Sequence, residues 1–286
     1  MNRLCGFSHA AATLVAAAII FAGPVSAQDQ DESGPPQPTY LIPQSYGGQR
    51  IEIKAWLRLP PGAGPFSTVI MLHGCNGLNR AGWKHSDEWA RWFNSLGFAA
   101  LVIDSFTPRY VNTTCGDAQA LSGELQAADL YTAADYISQV PQLRGKKIGA
   151  IGFSHGGWGI LDADATNIPA IRDLRSRLAN KNVDVAAFVA MYPGCGRHIA
   201  ASFYAPLLIL IGQQDQNTRA DTCQSLGAYP RPPAPEVRVK IYPNATHSFD
   251  VDKPPRSFLG RVLQYDPAAA ADAHKQIQSF FSRWLG

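Results

Sequence analysis

The chain has 286 residues, of which 46% are hydrophobic and 16% are charged, and its formal net charge is +3 at pH 7. This composition is typical of a globular protein with a sizeable core and excludes an intrinsically disordered chain. No run of Lys or Arg and no regular basic stripe occurs, so we expect no nucleic-acid partner.

The first 27 residues have the pattern of a secretory signal peptide. Arg3 precedes an apolar run at 10–22, and small residues follow up to Ala27. We therefore expect cleavage at that point, a mature chain that begins near Gln28, and a secreted or periplasmic protein without stable membrane insertion. An uncleaved N-terminal anchor is the alternative, because Arg3 alone makes a weak positive end.

The rest of the chain divides into a leader and one domain. Residues 28–48 contain several Pro, Gln and acidic residues, which predicts a flexible leader. Residues 49–286 are of a usual size for a single α/β domain. We expect the chemistry to lie within this domain.

Predicted strands and helices alternate along the domain. A pattern of alternating apolar and polar residues at 50–59 predicts a half-exposed antiparallel strand. Short apolar runs predict buried parallel strands at 68–72, 99–103, 147–151 and 207–211, and 185–191 and 237–242 are two further candidate strands. Helical patterns occur at 86–96, 122–139, 158–165, 168–178 and 268–285. This order predicts an α/β fold with a mainly parallel, doubly wound sheet and helices on both faces.

A candidate nucleophile lies between a predicted strand and a helix. The sequence Gly152-Phe-Ser-His-Gly156 matches Gly-x-Ser-x-Gly, and its glycines allow a sharp turn that exposes Ser154 at the edge of the sheet. The N–H of His155 at the start of the helix is a candidate oxyanion donor. The glycine-bracketed loop after 68–72 is expected to supply a second donor from Cys75, or failing that from Asn76. We expect His73 to be structural.

The partners of Ser154 are expected later in the chain. Asp215 follows a buried strand, and His247 lies in a loop after the last predicted strand. The order Ser, acid, His is that of a hydrolase on a doubly wound sheet, and it makes His247 the base and Asp215 its orienting acid. Asp221 and Asp250 are weaker candidates for the acid. We expect His155, His198 and His274 to be solvated or structural.

Four cysteines remain once Cys5 leaves with the signal peptide. An even number in an exported chain predicts disulfides, and four cysteines allow three pairings. We favour Cys75 with Cys115 and Cys195 with Cys223, because each pair ties a loop after a strand to the next irregular segment. Neither Cys-x2-Cys nor His-Glu-x-x-His occurs, so we expect no metal site.

The segments that begin at His73, Gly152, Gly212 and His247 resemble the motifs of the dienelactone hydrolase family of α/β-hydrolases, and the resemblance covers most of 49–286. It implies a cofactor-free hydrolase of esters or lactones with a small lid. The dienelactone-cleaving members use cysteine where this chain has Ser154, and they have an acidic residue near the oxyanion loop that 73–77 lacks. We therefore expect a substrate other than dienelactone.

The substrate pocket is expected among the loops at the carboxyl ends of the strands. The aromatic residues predicted to line it are Trp83, Phe106, Tyr110, Trp158 and Tyr192. The irregular segments 195–205 and 216–236 are expected to cover a small-molecule ester or lactone. The same three residues also fit a serine peptidase or an acyl transferase, and the fold alone fits an inactive binding scaffold.

Overall fold

The computed structural model describes Met1 and residues 34–198, 201–227 and 235–286. Within these residues, eight strands form one sheet in the order β1-β2-β4-β3-β5-β6-β7-β8. The strands are β1 (Tyr40–Tyr46), β2 (Gln49–Arg58), β3 (Thr68–Leu72), β4 (Ala99–Asp104), β5 (Ile148–Phe153), β6 (Val185–Met191), β7 (Leu207–Gly212) and β8 (Val237–Tyr242). The predicted signal peptide, 1–27, lies almost wholly outside the described residues.

The sheet is mainly parallel. Every neighbouring pair from β4 and β3 through to β8 is parallel, whereas β1, β2 and β4 pair antiparallel. All residues of β3, β4, β5 and β7 are buried, because helices cover both faces of a parallel sheet and leave no polar face in the sequence. The predicted fold class is confirmed.

Six α-helices lie in the described part of the chain and pack on the sheet. They are α1 (Arg80–Ser95), α2 (Gly123–Ile137), α3 (His155–Asp164), α4 (Pro169–Ala179), α5 (Ala220–Gly227) and α6 (Pro267–Leu285). Phe93 of α1 contacts Phe281 of α6, and Tyr131 of α2 donates a hydrogen bond to the carbonyl of Ala163 in α3. A side chain added at Gly149 of β5 would meet Phe281, so α6 lies directly on the central strand.

Two helix starts differ from the sequence interpretation. Helix α1 begins at Arg80 rather than at 86, because the side chain of Asn79 accepts a hydrogen bond from the N–H of Gly82 and caps the helix there. Helix α3 begins at His155, directly after the turn that holds Ser154, and not at Trp158. Helix α5 falls inside 216–236, which lacks clear helical periodicity.

The predicted leader, 28–48, ends in a strand and is not flexible throughout. Strand β1 pairs with β2 along its whole length, and Ile42 and Gln44 are buried. The interpretation as a flexible leader rested on several Pro, Gln and acidic residues and few apolar ones, and it is wrong for Tyr40–Tyr46, which forms a strand that includes Pro43. An edge strand tolerates proline, since the missing N–H faces away from the sheet.

A second, two-stranded sheet follows the loop of His247. Strands β9 (Arg256–Phe258) and β10 (Arg261–Leu263) pair antiparallel. Leu259 and Gly260, which join them, both have positive φ angles of 52° and 75°, as a tight hairpin turn requires. This hairpin was not predicted from the sequence.

Two cysteine pairs lie at disulfide distance. The S–S separation is 1.98 Å for Cys75 and Cys115, and 2.05 Å for Cys195 and Cys223. These are the two pairs that the sequence favours, and they fit an extracellular location. In the described part of the chain, no helix combines the length and the hydropathy needed to cross a membrane.

Candidate active site

The turn between β5 and α3 holds Ser154 in a strained backbone conformation. Its φ is 53° and its ψ is −109°, a combination that residues with a side chain rarely adopt. A Cβ at Gly152 would lie 2.1 Å from the carbonyl oxygen of Gly156, and one at Gly156 would lie 2.3 Å from that of Leu72. The two glycines are therefore required for the helix to start so close to the strands.

The structure brings Ser154, His247 and Asp215 into one chain of hydrogen bonds. Nε2 of His247 lies 2.9 Å from Oγ of Ser154, and Nδ1 lies 2.7 Å from Oδ2 of Asp215. An ionised carboxylate only accepts, so Nδ1 carries the proton and Nε2 is left to accept the proton of the serine hydroxyl. This arrangement is suited to proton removal from Ser154.

Asp215 is fixed by three further hydrogen bonds. The backbone N–H groups of Asn217 and Thr218 each donate to Oδ1 at 2.8 Å, and the hydroxyl of Thr218 donates to Oδ2 at 2.7 Å. The Asp215 side chain is fully buried. Its negative charge is therefore held in one place by fixed donors and directed at the imidazole.

The alternative acids lie elsewhere. Asp221 is exposed and pairs with Arg219, and Asp250 contacts His85. Among the described contacts, Asp215 is the carboxylate that is hydrogen-bonded to His247. The chain order of the three residues pointed to the same carboxylate.

The loop that follows β3 lies against Ser154. A Cβ at Gly74 would be 3.6 Å from Cβ of Ser154, and Cys75 and His155 both line the pocket around it. Neither the N–H of Cys75 nor that of His155 donates to another group within the described residues. The same holds for Asn76, so the choice between Cys75 and Asn76 as second oxyanion donor stays a prediction.

His73 supports this loop from below. It is buried, its Nδ1 lies 2.9 Å from the carbonyl oxygen of Gly74, and its Nε2 lies 3.2 Å from the backbone nitrogen of Ser105 and 3.7 Å from Oδ1 of Asp104. Burial opposes ionisation of the neighbouring Asp104, but the contacts with His73 and Thr107 hold the pKa of that carboxyl well below its usual range. These contacts agree with a structural role for His73.

The remaining predicted structural histidines do not contact Ser154. Burial and the nearby His73 lower the pKa of His155 to about 4, so this imidazole is neutral at pH 7. His198 is buried and lies 2.8 Å from Asp162. His274 donates from Nδ1 to the carbonyl of Ala270 within α6.

A pocket of about 590 Å³ opens above Ser154, and Trp158 and Tyr192 line it as predicted. The ring of Tyr192 lies 4.8 Å from that of His247. Parts of both predicted covering segments contribute, through Arg197 and through Asn217 with Thr218. The volume is suited to a small organic substrate.

Three of the aromatic residues predicted for the pocket do not line it. The ring of Trp83 packs on that of Trp56 in β2, with the ring centres 5.3 Å apart. Phe106 is fully buried against the ring of His73. Tyr110 is 96% exposed, because its backbone adopts a left-handed conformation at the end of a 3₁₀ turn. Sequence position gave the correct edge of the sheet but not the direction of these side chains.

One wall of the pocket was not predicted from the sequence. This wall is formed by the segment after His247 and by the β9–β10 hairpin, with His85 of α1 beside it; its lining residues include Ser248, Val251, Lys253, Arg256, Phe258, Leu259, Arg261 and Leu263. No cluster of His, Cys, Asp or Glu suited to a metal ion occurs within the described residues.

Known proteins share the fold of this chain. "Protein usf" from Aquifex pyrophilus is 22% identical over 244 residues, which cover 82% of this chain and 95% of that protein. The solved dienelactone hydrolase of Anabaena variabilis superposes with a TM-score of 0.58 at 22% identity, covering 87% of this chain and all of that one. An esterase from Pyrococcus furiosus superposes with a TM-score of 0.60 at 15% identity, covering 92% and 97%. The model of the dienelactone hydrolase family matches residues 53–285, and the chain therefore belongs to this family.

Proposed function

We propose that this member of the dienelactone hydrolase family is an exported serine hydrolase that cleaves carboxylic esters or lactones through an acyl-enzyme on Ser154. The observation that carries the proposal is the chain of hydrogen bonds from Ser154 through His247 to Asp215, at 2.9 and 2.7 Å, on the floor of a pocket. Such a chain is the arrangement that nucleophilic acyl transfer requires.

Acylation begins with the serine hydroxyl. Oγ of Ser154 attacks the carbonyl carbon while its proton moves to Nε2 of His247, and Asp215 stabilises the imidazolium that forms. The negative charge that develops on the carbonyl oxygen is met by the N–H groups of His155 and of Cys75 or Asn76. The tetrahedral intermediate collapses, the alcohol leaves with the proton from His247, and the acyl group stays on Ser154.

Deacylation repeats these steps with water. His247 takes a proton from a water molecule, the resulting hydroxide attacks the acyl carbon, and Ser154 leaves with the proton returned by Nε2. A serine hydroxyl is hardly ionised at neutral pH, unlike a thiol. We therefore expect a stronger dependence on His247 than in relatives that use cysteine.

The test is hydrolysis of short-chain p-nitrophenyl esters by the purified mature protein, beside a Ser154→Ala variant and a fluorophosphonate label. We expect turnover that Ser154→Ala abolishes, and one labelled residue, Ser154. A folded wild-type protein that neither turns over these esters nor takes the label would contradict the proposal and favour a binding scaffold.

Export is part of the proposal, and it rests on the N-terminal pattern together with the two cysteine pairs. Mass analysis of protein recovered outside the cytoplasm is expected to show a chain that begins near Gln28, with four cysteines bonded under non-reducing conditions. An uncleaved N-terminus or four free thiols would contradict the proposed export and would leave the proposed catalytic mechanism unaffected.

A further inference from the structure

A second histidine–aspartate pair lies in the wall of the same pocket. His85 lines the pocket, and 18% of its side chain is exposed. Its Nε2 lies 2.7 Å from Oδ2 of Asp250, whose side chain has no exposed surface. Neither residue takes part in the hydrogen bonds that join Ser154 to His247, so the proposed mechanism does not use this pair.

Asp250 is a buried carboxylate held in its charged form. Burial favours the neutral acid, but the neighbouring His85 and the hydrogen bonds of His85 and Trp89 lower the pKa of Asp250 below its ordinary value. The indole N–H of Trp89 donates to the same oxygen, Oδ2, at 3.0 Å. The indole nitrogen also lies 3.2 Å from Nε2 of His85, but its proton is directed to the nearer carboxylate oxygen. An ionised carboxylate only accepts, and Nε2 of His85, at 2.7 Å from the same oxygen, therefore carries a proton.

This contact determines which nitrogen of His85 is left for a ligand. Nε2–H is committed to Asp250, and Nδ1 has no hydrogen-bond partner in the part of the chain that the structure describes. The ring is held edge-on against Phe153, the residue before Ser154, with the ring centres 4.7 Å apart. Nδ1 accepts a hydrogen bond when the imidazole is neutral and donates one when it is ionised.

We propose that His85 is a specificity-determining residue that hydrogen-bonds through Nδ1 to a second polar group of the substrate. The substrates in question are esters with a hydroxyl or carbonyl oxygen within a few bonds of the scissile carbonyl. This inference rests on the proposed function, because it assigns the substrate class of the same pocket. A purely structural role needs only the contact from Nε2 to Asp250, which joins the segment after His247 to α1.

Two conservative variants separate these roles. Asparagine at position 85 places its amide near the position of Nδ1 but falls short of Asp250. Glutamine reaches towards the position of Nε2 and keeps the contact with Asp250 while it leaves the pocket side empty. Recognition through Nδ1 therefore predicts that His85→Asn is the better substitute, whereas a structural anchor predicts that His85→Gln is.

The substrates are two matched pairs of esters, phenyl acetate with phenyl glycolate and ethyl acetate with 2-hydroxyethyl acetate. The readout is the ratio of kcat/KM between the hydroxylated and the plain ester in each pair. We expect His85→Gln to lower this ratio about tenfold in at least one pair, the size of one lost hydrogen bond to substrate. His85→Asn is expected to stay closer to the wild-type ratio.

A matched control lies on the other side of the same tryptophan. His274 stacks on Trp89 with the ring centres 4.4 Å apart but does not line the pocket, so His274→Gln is expected to leave both ratios unchanged. Ratios that do not move in His85→Gln, or that His85→Gln preserves better than His85→Asn, overturn the proposal. If the wild type cleaves none of the four esters and Ser154 takes no fluorophosphonate label, the proposed function itself fails.

Discussion

Asp215 acts on the proposed reaction without touching the substrate. Two backbone N–H groups and the hydroxyl of Thr218 hold its carboxylate, so its position does not depend on the imidazole. What it determines is the tautomer of His247. With Nδ1–H donated to Asp215, Nε2 is free to accept the proton of Ser154.

Replacing Asp215 by asparagine tests this role with little change of shape. The amide can donate to Nδ1, which moves the imidazole proton to Nε2 and removes the base. We expect kcat for p-nitrophenyl butyrate to fall by about 10³- to 10⁴-fold, the size of this effect in comparable triads. Asp221→Asn, at an exposed carboxylate on the next helix, is the control and should stay within about twofold of wild type. Near-wild-type turnover in Asp215→Asn would rule out Asp215 as the orienting acid.

At the scale of elements, the site depends on how closely α3 approaches β3 and β5. The carbonyl oxygens of Leu72 and His73 lie 2.3 and 2.6 Å from the position that a Cβ at Gly156 would take. Both neighbours are backbone atoms in or directly after β3, and neither can rotate away as a flexible side chain would. A side chain at this position must therefore push the helix, and Ser154 with it, off the sheet.

We expect Gly156→Ala to lower the free energy of unfolding by about 2 kcal/mol or more, as overpacking of a tight contact does. Urea denaturation of the purified variant measures this change. The control is Gly116→Ala, at an exposed loop glycine with no atom within 4 Å of its added Cβ, where we expect a change of less than about 0.5 kcal/mol. Equal stability of the two variants would show that the approach of α3 is looser than its backbone distances indicate.

The elements that the sequence predicted best are strands that are buried on both faces of the sheet. Strands β3 and β6 have the predicted bounds, because a short apolar run between turn residues is a sufficient signal. Strand β1 and the β9–β10 hairpin were missed. Strand β1 lies at the edge of the large sheet, and β9 and β10 have three residues each. The pairing of these strands depends on partners that local sequence does not reveal.

The same distinction holds for the site. Ser154 could be identified because the turn that exposes it is encoded within five residues, and His247 and Asp215 followed from the order of the strands. The pocket aromatics could not be sorted in this way. Phe106 and Tyr110 lie four residues apart, yet one is fully buried and the other is almost fully exposed, a difference set by packing against His73 and by the left-handed backbone at Tyr110.

At the scale of the whole molecule, charge is unevenly distributed. The net charge is only +3, but four basic side chains line the pocket, and none of its described lining residues is Asp or Glu; the four are Arg197, Lys253, Arg256 and Arg261. Arg197 and Arg261 donate to the neutral amides of Gln119 and Asn217. Nη1 of Arg256 is buried without a hydrogen-bond partner. The pocket therefore presents a positive potential to whatever enters it.

This potential predicts a preference for negatively charged esters. We expect Arg256→Gln to lower kcat/KM about fivefold for the 4-nitrophenyl monoester of succinic acid, the size of one partly screened charge pair, and to change 4-nitrophenyl acetate by less than twofold. Added salt should weaken the wild-type preference, because screening acts on the same attraction. Arg144→Gln removes an equal charge from an exposed position away from the pocket and controls for net charge. An equal loss of kcat/KM with both esters would mean that Arg256 contributes to the shape of the pocket and that its charge does not attract the substrate.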